Sequence, residues 1–156
     1  MFSFRRAATL GAMLVLFFAG PTLAAEKDHA NVDSDHLGVK GYDPVSYFDG
    51  KAMPGDQKVT SEYDGVTYRF ANEANREKFK SDPAHFAPAC GGWCAYAFAV
   101  DKGKVDIDPL SYKITDGRLF LFYKGWRGDA LKEWNKDEAN YIPKADANWK
   151  KTAEGN

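Results

Sequence analysis

The sequence predicts an α+β fold, a small antiparallel sheet built from two hairpins and packed against several short helices. Three observations predict it. Lys58 to Tyr63 and Val66 to Ala71 flank Asp64-Gly65, and Leu110 to Thr115 and Arg118 to Tyr123 flank Asp116-Gly117; Asp-Gly favours a tight hairpin because both positions tolerate positive φ. Short stretches between and after these runs carry helix start and stop signals. The resulting order of strands, helices, strands, helices is that of an α+β domain.

Taken along the chain, residues 26–40 are polar, lack aromatics and show no periodicity, which predicts a flexible arm. From Gly41 the character changes. Tyr42-Asp43-Pro44-Val45-Ser46-Tyr47-Phe48 is apolar, with a proline that forces an extended or turning backbone, and Asp49-Gly50 closes it. In the first hairpin Val66, Tyr68 and Phe70 alternate with Thr67 and Arg69, the pattern of a half-buried strand. Asn72 offers an N-cap, Glu73 sits in the first turn, and Ala74, Lys78 and Phe79 continue a helix that Asp82-Pro83 stops. Ala95 to Val100 reads as a short buried helix, a buried strand being the alternative, since alanine is a poor strand former. Trp126 to Asn140, with apolar residues at 130, 131 and 134, reads as an amphipathic helix. After Ile142-Pro143 comes a short tail helix bearing Trp149, and residues 151–156 are expected to be disordered. The chain shows no internal repeat and no low-complexity tract.

The N-terminus sets the compartment. Met1-Phe2-Ser3-Phe4-Arg5-Arg6 is a short cationic start, Leu10 to Ala19 is an unbroken apolar run, and Thr22-Leu23-Ala24-Ala25 supplies small residues for a signal peptidase. Residues 1–25 therefore read as a secretory signal peptide; the apolar run is far shorter than the ~20 residues that span a bilayer. The Arg5-Arg6 pair leaves the Sec and twin-arginine routes both open. Removing these residues takes away two arginines and no acid, leaving 19 cations against 22 acids, net −3. That charge invites no nucleic acid. A soluble periplasmic protein without stable membrane insertion is expected, in a space where thiols are normally oxidised.

The only two cysteines, Cys90 and Cys94, bracket Gly91-Gly92-Trp93. With His85 they form the one set of soft donors, suited to copper(I), with zinc as the alternative. The C-x-x-x-C spacing alone also resembles the copper motif of SCO-type chaperones. On a regular helix the two Cβ atoms stand about 5 to 6 Å apart, too far for an unstrained disulfide, but the glycine pair frees the backbone to close the gap. A metal site, a redox-active pair and a passive disulfide or packed thiols all remain open. A helix start at Trp93 or Cys94 would lower the thiol pKa that exchange chemistry needs, although the C-x-x-C spacing of thioredoxin-like proteins is missing.

Other groups read more plainly. His85 suits a surface loop as well as a ligand set. His29 and His36 are solvated arm residues or metal donors, and Trp93 is core or lines a pocket. Tyr42, Tyr47 and Tyr68 are expected in the core with bonded hydroxyls, and Asp106, Asp108 and Asp116 as turn residues without calcium-loop spacing. No Gly-rich phosphate loop, Gly-x-Ser-x-Gly elbow or His-Glu-x-x-His helix is present, so the reading leans away from an enzyme.

Gly41 to Phe48, Tyr63 to Phe70, Asn75-Arg76-Glu77-Lys78-Phe79, Asp82-Pro83, Gly91 to Ala95 and Lys144 to Trp149 together resemble the YHS domain family, in its exported bacterial branch. The resemblance makes residues 41–150 a YHS-like domain and implies metal binding, with copper favoured. It also implies cysteines at positions held here by Ser46, Ala71 and Asn75, so that family's thiolate site is absent and a metal must use Cys90, Cys94 and His85. The expected role is non-catalytic storage, sensing or delivery, with a metal ion or a metal-delivery protein as partner. Thiol-disulfide exchange through the same pair is the alternative, followed by a small-molecule or partner-binding module with an inert disulfide.

Overall fold

The computed structural model describes residues 29–155; the expected signal peptide lies outside them. The class is α+β. Strand β1 (Asp56–Tyr63) pairs with β2 (Val66–Phe70) across Asp64-Gly65, both at positive φ (50° and 76°). Helix α1 (Glu73–Ser81) starts on Asn72, whose side chain accepts the Asn75 N–H at 2.9 Å. Asp82 ends α1 and caps α2 (Pro83–Phe86), with Pro83 in the first turn, where a missing N–H costs nothing.

Helix α3 (Ala95–Ala99) is short and buried, as its alanines predict. Strand β3 (Asp108–Thr115) pairs with β4 (Arg118–Phe122), and a small hairpin, β5 (Lys124–Gly125) with β6 (Gly128–Asp129), follows. The hairpins stay separate two-stranded ribbons, and the core forms between them. Phe70, Phe79, Phe98, Phe120, Phe122 and Trp134 are fully buried there.

The C-terminal part differs from expectation. Instead of one helix over 126–140, the hairpin β5–β6 takes its first residues and α4 (Ala130–Trp134) is a single short helix. Helix α5 (Glu138–Glu154) then runs through Pro143 and absorbs the expected tail, ending on Gly155 at φ 73°. A proline inside a helix removes a hydrogen bond and costs about 3 kcal/mol. Packing offsets it: Asn148 Nδ2 donates to the Phe98 carbonyl at 2.8 Å, and Trp149 meets Phe98 edge on at 5.5 Å. Among the described residues no helix is long and apolar enough to cross a membrane.

The expected arm is also docked over residues 31–40. Leu37 bridges Thr67, Val32 bridges Gly38, and Leu37 and Val39 are buried. Gly38 permits this approach, because a Cβ there would meet Val66 Cγ1 at 2.6 Å. Two apolar residues in a polar stretch outweighed its composition.

The backbone also repeats itself, although the sequence shows no internal repeat. In β1–β2 Asp56 faces Phe70 and Thr60 faces Arg69, with an irregularity between; in β3–β4 Asp108 faces Phe122 and Tyr112 faces Leu121, with the same irregularity. Each pair is displaced by 52 positions (56 to 108, 70 to 122). The approach to each hairpin matches too. Val39, Lys40 and Gly41 have φ of 51°, 51° and 79°; Cys90, Gly91 and Gly92 have 53°, 59° and 83°. The bonds Tyr42 N to Val39 O, Asp43 N to Met53 O and Lys51 N to Ser46 O recur as Trp93 N to Cys90 O, Cys94 N to Val105 O and Lys102 N to Ala97 O.

The second of these turns lies against α5. A Cβ on Gly91 would meet Trp149 Cη2 at 2.5 Å, on a backbone whose φ already disfavours side chains. Gly91→Ala is therefore expected to lower stability by about 2 kcal/mol in urea unfolding. A variant as stable as the parent would show that Trp149 is not seated there.

Candidate functional site

In the first half the turn is organised by Asp43, which has no solvent exposure. Its Oδ1 accepts the N–H groups of Val45 at 2.9 Å and Ser46 at 3.4 Å. Its Oδ2 accepts Ala71 N–H at 2.9 Å and Asn75 Nδ2 at 2.6 Å. Three elements, the turn, the end of β2 and the first turn of α1, are tied to one carboxylate. Ser46, Ala71 and Asn75, the positions where the family resemblance implies cysteines, are thus brought together around Asp43.

Cys94 occupies the equivalent place in the second half. The backbone N–H groups of Tyr96, Ala97 and Tyr123 lie near its sulfur and favour the thiolate; they are the counterparts of Val45, Ser46 and Ala71 (45 to 96, 46 to 97, 71 to 123). The fourth donor is missing. Helix α1 begins soon after β2 and delivers Asn75 over the first cradle, whereas β5–β6 is inserted between β4 and α4. Beside Cys94 lies a cavity of about 390 Å³, lined among others by Cys94, Tyr96, Lys102, Tyr123, Arg127 and Glu133.

Both cysteines are free thiols, buried and not at disulfide distance. Burial pushes the Cys94 thiol up, against the pull of its three N–H donors. Burial likewise pushes Cys90 up to about 12, with Asp146 and Cys94 adding to it and Arg118 opposing. The start of α3 at Cys94 therefore does not make the reactive, low-pKa thiol that exchange chemistry needs: desolvation exceeds the help of a five-residue helix.

His85 is not placed on the Cys94 cavity. Its ring packs against Phe48 and Phe86, with centroids 4.8 and 4.7 Å away, and it lines a separate cavity with Tyr63, Asp116 and Arg118. Among the described residues no three His, Cys, Asp or Glu side chains are gathered as a ligand set. His29 contributes only its carbonyl, which accepts Trp93 Nε1–H at 2.6 Å. Trp93 is half-buried and lines a third cavity with Asn31, Lys40 and Asp106.

Tyr47 and Tyr68 are in the core, and the Tyr47 hydroxyl donates to the Pro109 carbonyl at 2.9 Å; Tyr42 is half-buried. Asp116 is a turn residue, at φ 51°; Asp108, expected in a turn, instead opens β3 opposite Phe122, its side chain accepting the Leu110 N–H. Asp106 instead pairs with Lys40 at 2.6 Å.

The sequence reading missed Asp43 as a hub, and Lys102, Tyr123 and Arg127 as neighbours of Cys94. The available signal was positional: Gly41-Tyr42-Asp43 and Gly92-Trp93-Cys94 precede the two Asp-Gly turns by nearly the same distance. Comparison with protein-family models, curated proteins and solved structures finds no match.

Proposed function

We propose that this is a periplasmic, non-catalytic protein that binds a soft metal ion, copper(I), with Cys94 as the capturing sulfur and Cys90 as the second donor. The observation that carries the reading is the open cradle: Cys94 has three backbone N–H groups near its sulfur and lines a cavity. In the first half the cradle is closed by Asn75. The donors favour thiolate and burial opposes it, so a cation entering from the cavity supplies the charge that lets the proton leave.

The donor set supports copper(I) better than zinc. Two sulfurs suffice for the former, while zinc in a protein takes at least three side-chain ligands. His85 has no part in the proposed site. The resemblance to the YHS domain family points the same way. Thiol-disulfide exchange draws less support, since both thiols are buried and pushed away from the thiolate.

The test is a titration of reduced protein with copper(I) against a competing chelator. Stoichiometric binding is expected, weakened by more than about tenfold in Cys94→Ser and by less in Cys90→Ser. No binding by the reduced parent, or unchanged binding by Cys94→Ser, would overturn the reading.

A further inference from the structure

The cavity beside Cys94 is much larger than a bare ion needs, and its lining carries two cations and two carboxylates. Lys102 and Arg127 are both exposed at it and come from different segments, one after α3 and one from the tip of β5–β6. Among the described residues neither makes an ion pair. The Arg127 guanidinium lies over the Trp126 ring at 4.7 Å, a contact that leaves its N–H groups at the ring edge able to meet an anion.

The two carboxylates at the same cavity are both engaged. Glu133 is paired with Lys136 at 2.6 Å, and Asp129 accepts the Lys132 N–H as the cap of α4. Tyr96 and Tyr123 add aromatic wall, and Val105, Ala97 and Ala130 add apolar wall. A site with two cations free of ion pairs at its rim, an apolar body and Cys94 in its lining fits a ligand with an anionic end and a short organic remainder.

We propose that this cavity binds a small organic carboxylate, its anionic end held by Lys102 and Arg127 and its other end against the sulfur of Cys94. The seat shares Cys94 with the copper reading but needs no metal, so each can fail alone.

Two alkylating probes of nearly equal size separate the anion seat from simple access. Iodoacetate carries the carboxylate and iodoacetamide the neutral amide. In both, the Cys94 thiolate attacks the methylene carbon, the C–S bond forms, the C–I bond breaks and iodide leaves. Because both reactions draw on the same thiolate population, the ratio of their rates is independent of the thiol pKa. Reduced, metal-free Cys90→Ser protein presents Cys94 as its only thiol.

The ratio of iodoacetate to iodoacetamide rate is expected to exceed that of free cysteine, measured alongside, by about tenfold or more at low salt. Lys102→Gln/Arg127→Gln should return the ratio to the free-cysteine value, whatever the two substitutions do to the thiolate population that both reagents share. Both substitutions are at exposed positions, and a near-ultraviolet spectrum like the parent's establishes that the fold is kept. A ratio equal to that of free cysteine, a raised ratio that survives both substitutions, or no alkylation of the folded protein by either reagent would overturn the proposal.

Discussion

Asp43→Ala is expected to lower the stability of the whole domain by about 3 kcal/mol or more, a large share of what a single domain has. The carboxylate is unexposed and accepts four hydrogen bonds. Alanine leaves the N–H groups of Val45 and Ala71 and the Asn75 amide without an acceptor in a place closed to water, and each such orphan costs about 1 to 3 kcal/mol. Asp43→Asn keeps the volume but points an amide N–H₂ at other donors, so it should fall between the parent and alanine.

Cys94→Ala in the equivalent cradle should cost less, because sulfur is the weaker acceptor and the cavity lets water reach the freed N–H groups. Urea unfolding of the three variants gives the comparison. An Asp43→Ala loss below about 1 kcal/mol would show that the cradle does not tie the turn, β2 and α1 together.

The second large effect is alkaline. Reduced, metal-free protein should lose about 2 kcal/mol more stability between pH 8 and 10.5 than Cys90→Ser does. Burial holds the Cys90 thiol in the folded state up to about 12, whereas in the unfolded chain it titrates near its ordinary value of about 8.5 to 9. Below that ordinary value both states are protonated and the contribution is intact. Above it only the unfolded chain releases the proton, so stability falls as pH rises until the folded thiol titrates as well. Tyr47 and Tyr68 are also raised by burial, but both proteins carry them and the difference cancels their part. Equal alkaline losses in parent and variant would mean that the Cys90 thiol is not desolvated in the folded state.

Much of the local structure was legible in the sequence, because short-range chemistry fixes it. The two Asp-Gly turns, the Asn72 cap and the Asp82-Pro83 stop each depend on a few neighbouring atoms and stand as expected. Misreadings came where distant contacts decided. Composition made residues 26–40 an arm, yet Leu37 and Val39 find a place against β2. Pro143 reads as a helix stop, yet α5 passes through it because α3 receives its face.

The sequence by itself determined the α+β class, the two hairpins and the pair of thiols flanking two glycines. Its residues do not display the repetition, since the two halves share few identities and match instead in positive φ values, backbone hydrogen bonds and strand register. Those are properties of a folded backbone. Only the tertiary structure decided that Cys94 stands where the other half has Asp43, that Cys90 is buried in the core, and that His85 packs beside Phe48. The physical reason is that a cradle is made by N–H groups from separate segments, here Tyr96 and Ala97 beside the sulfur and Tyr123 far along the chain. Any residue type but proline can supply a backbone N–H, so the letters at those positions carry almost no sign of the site.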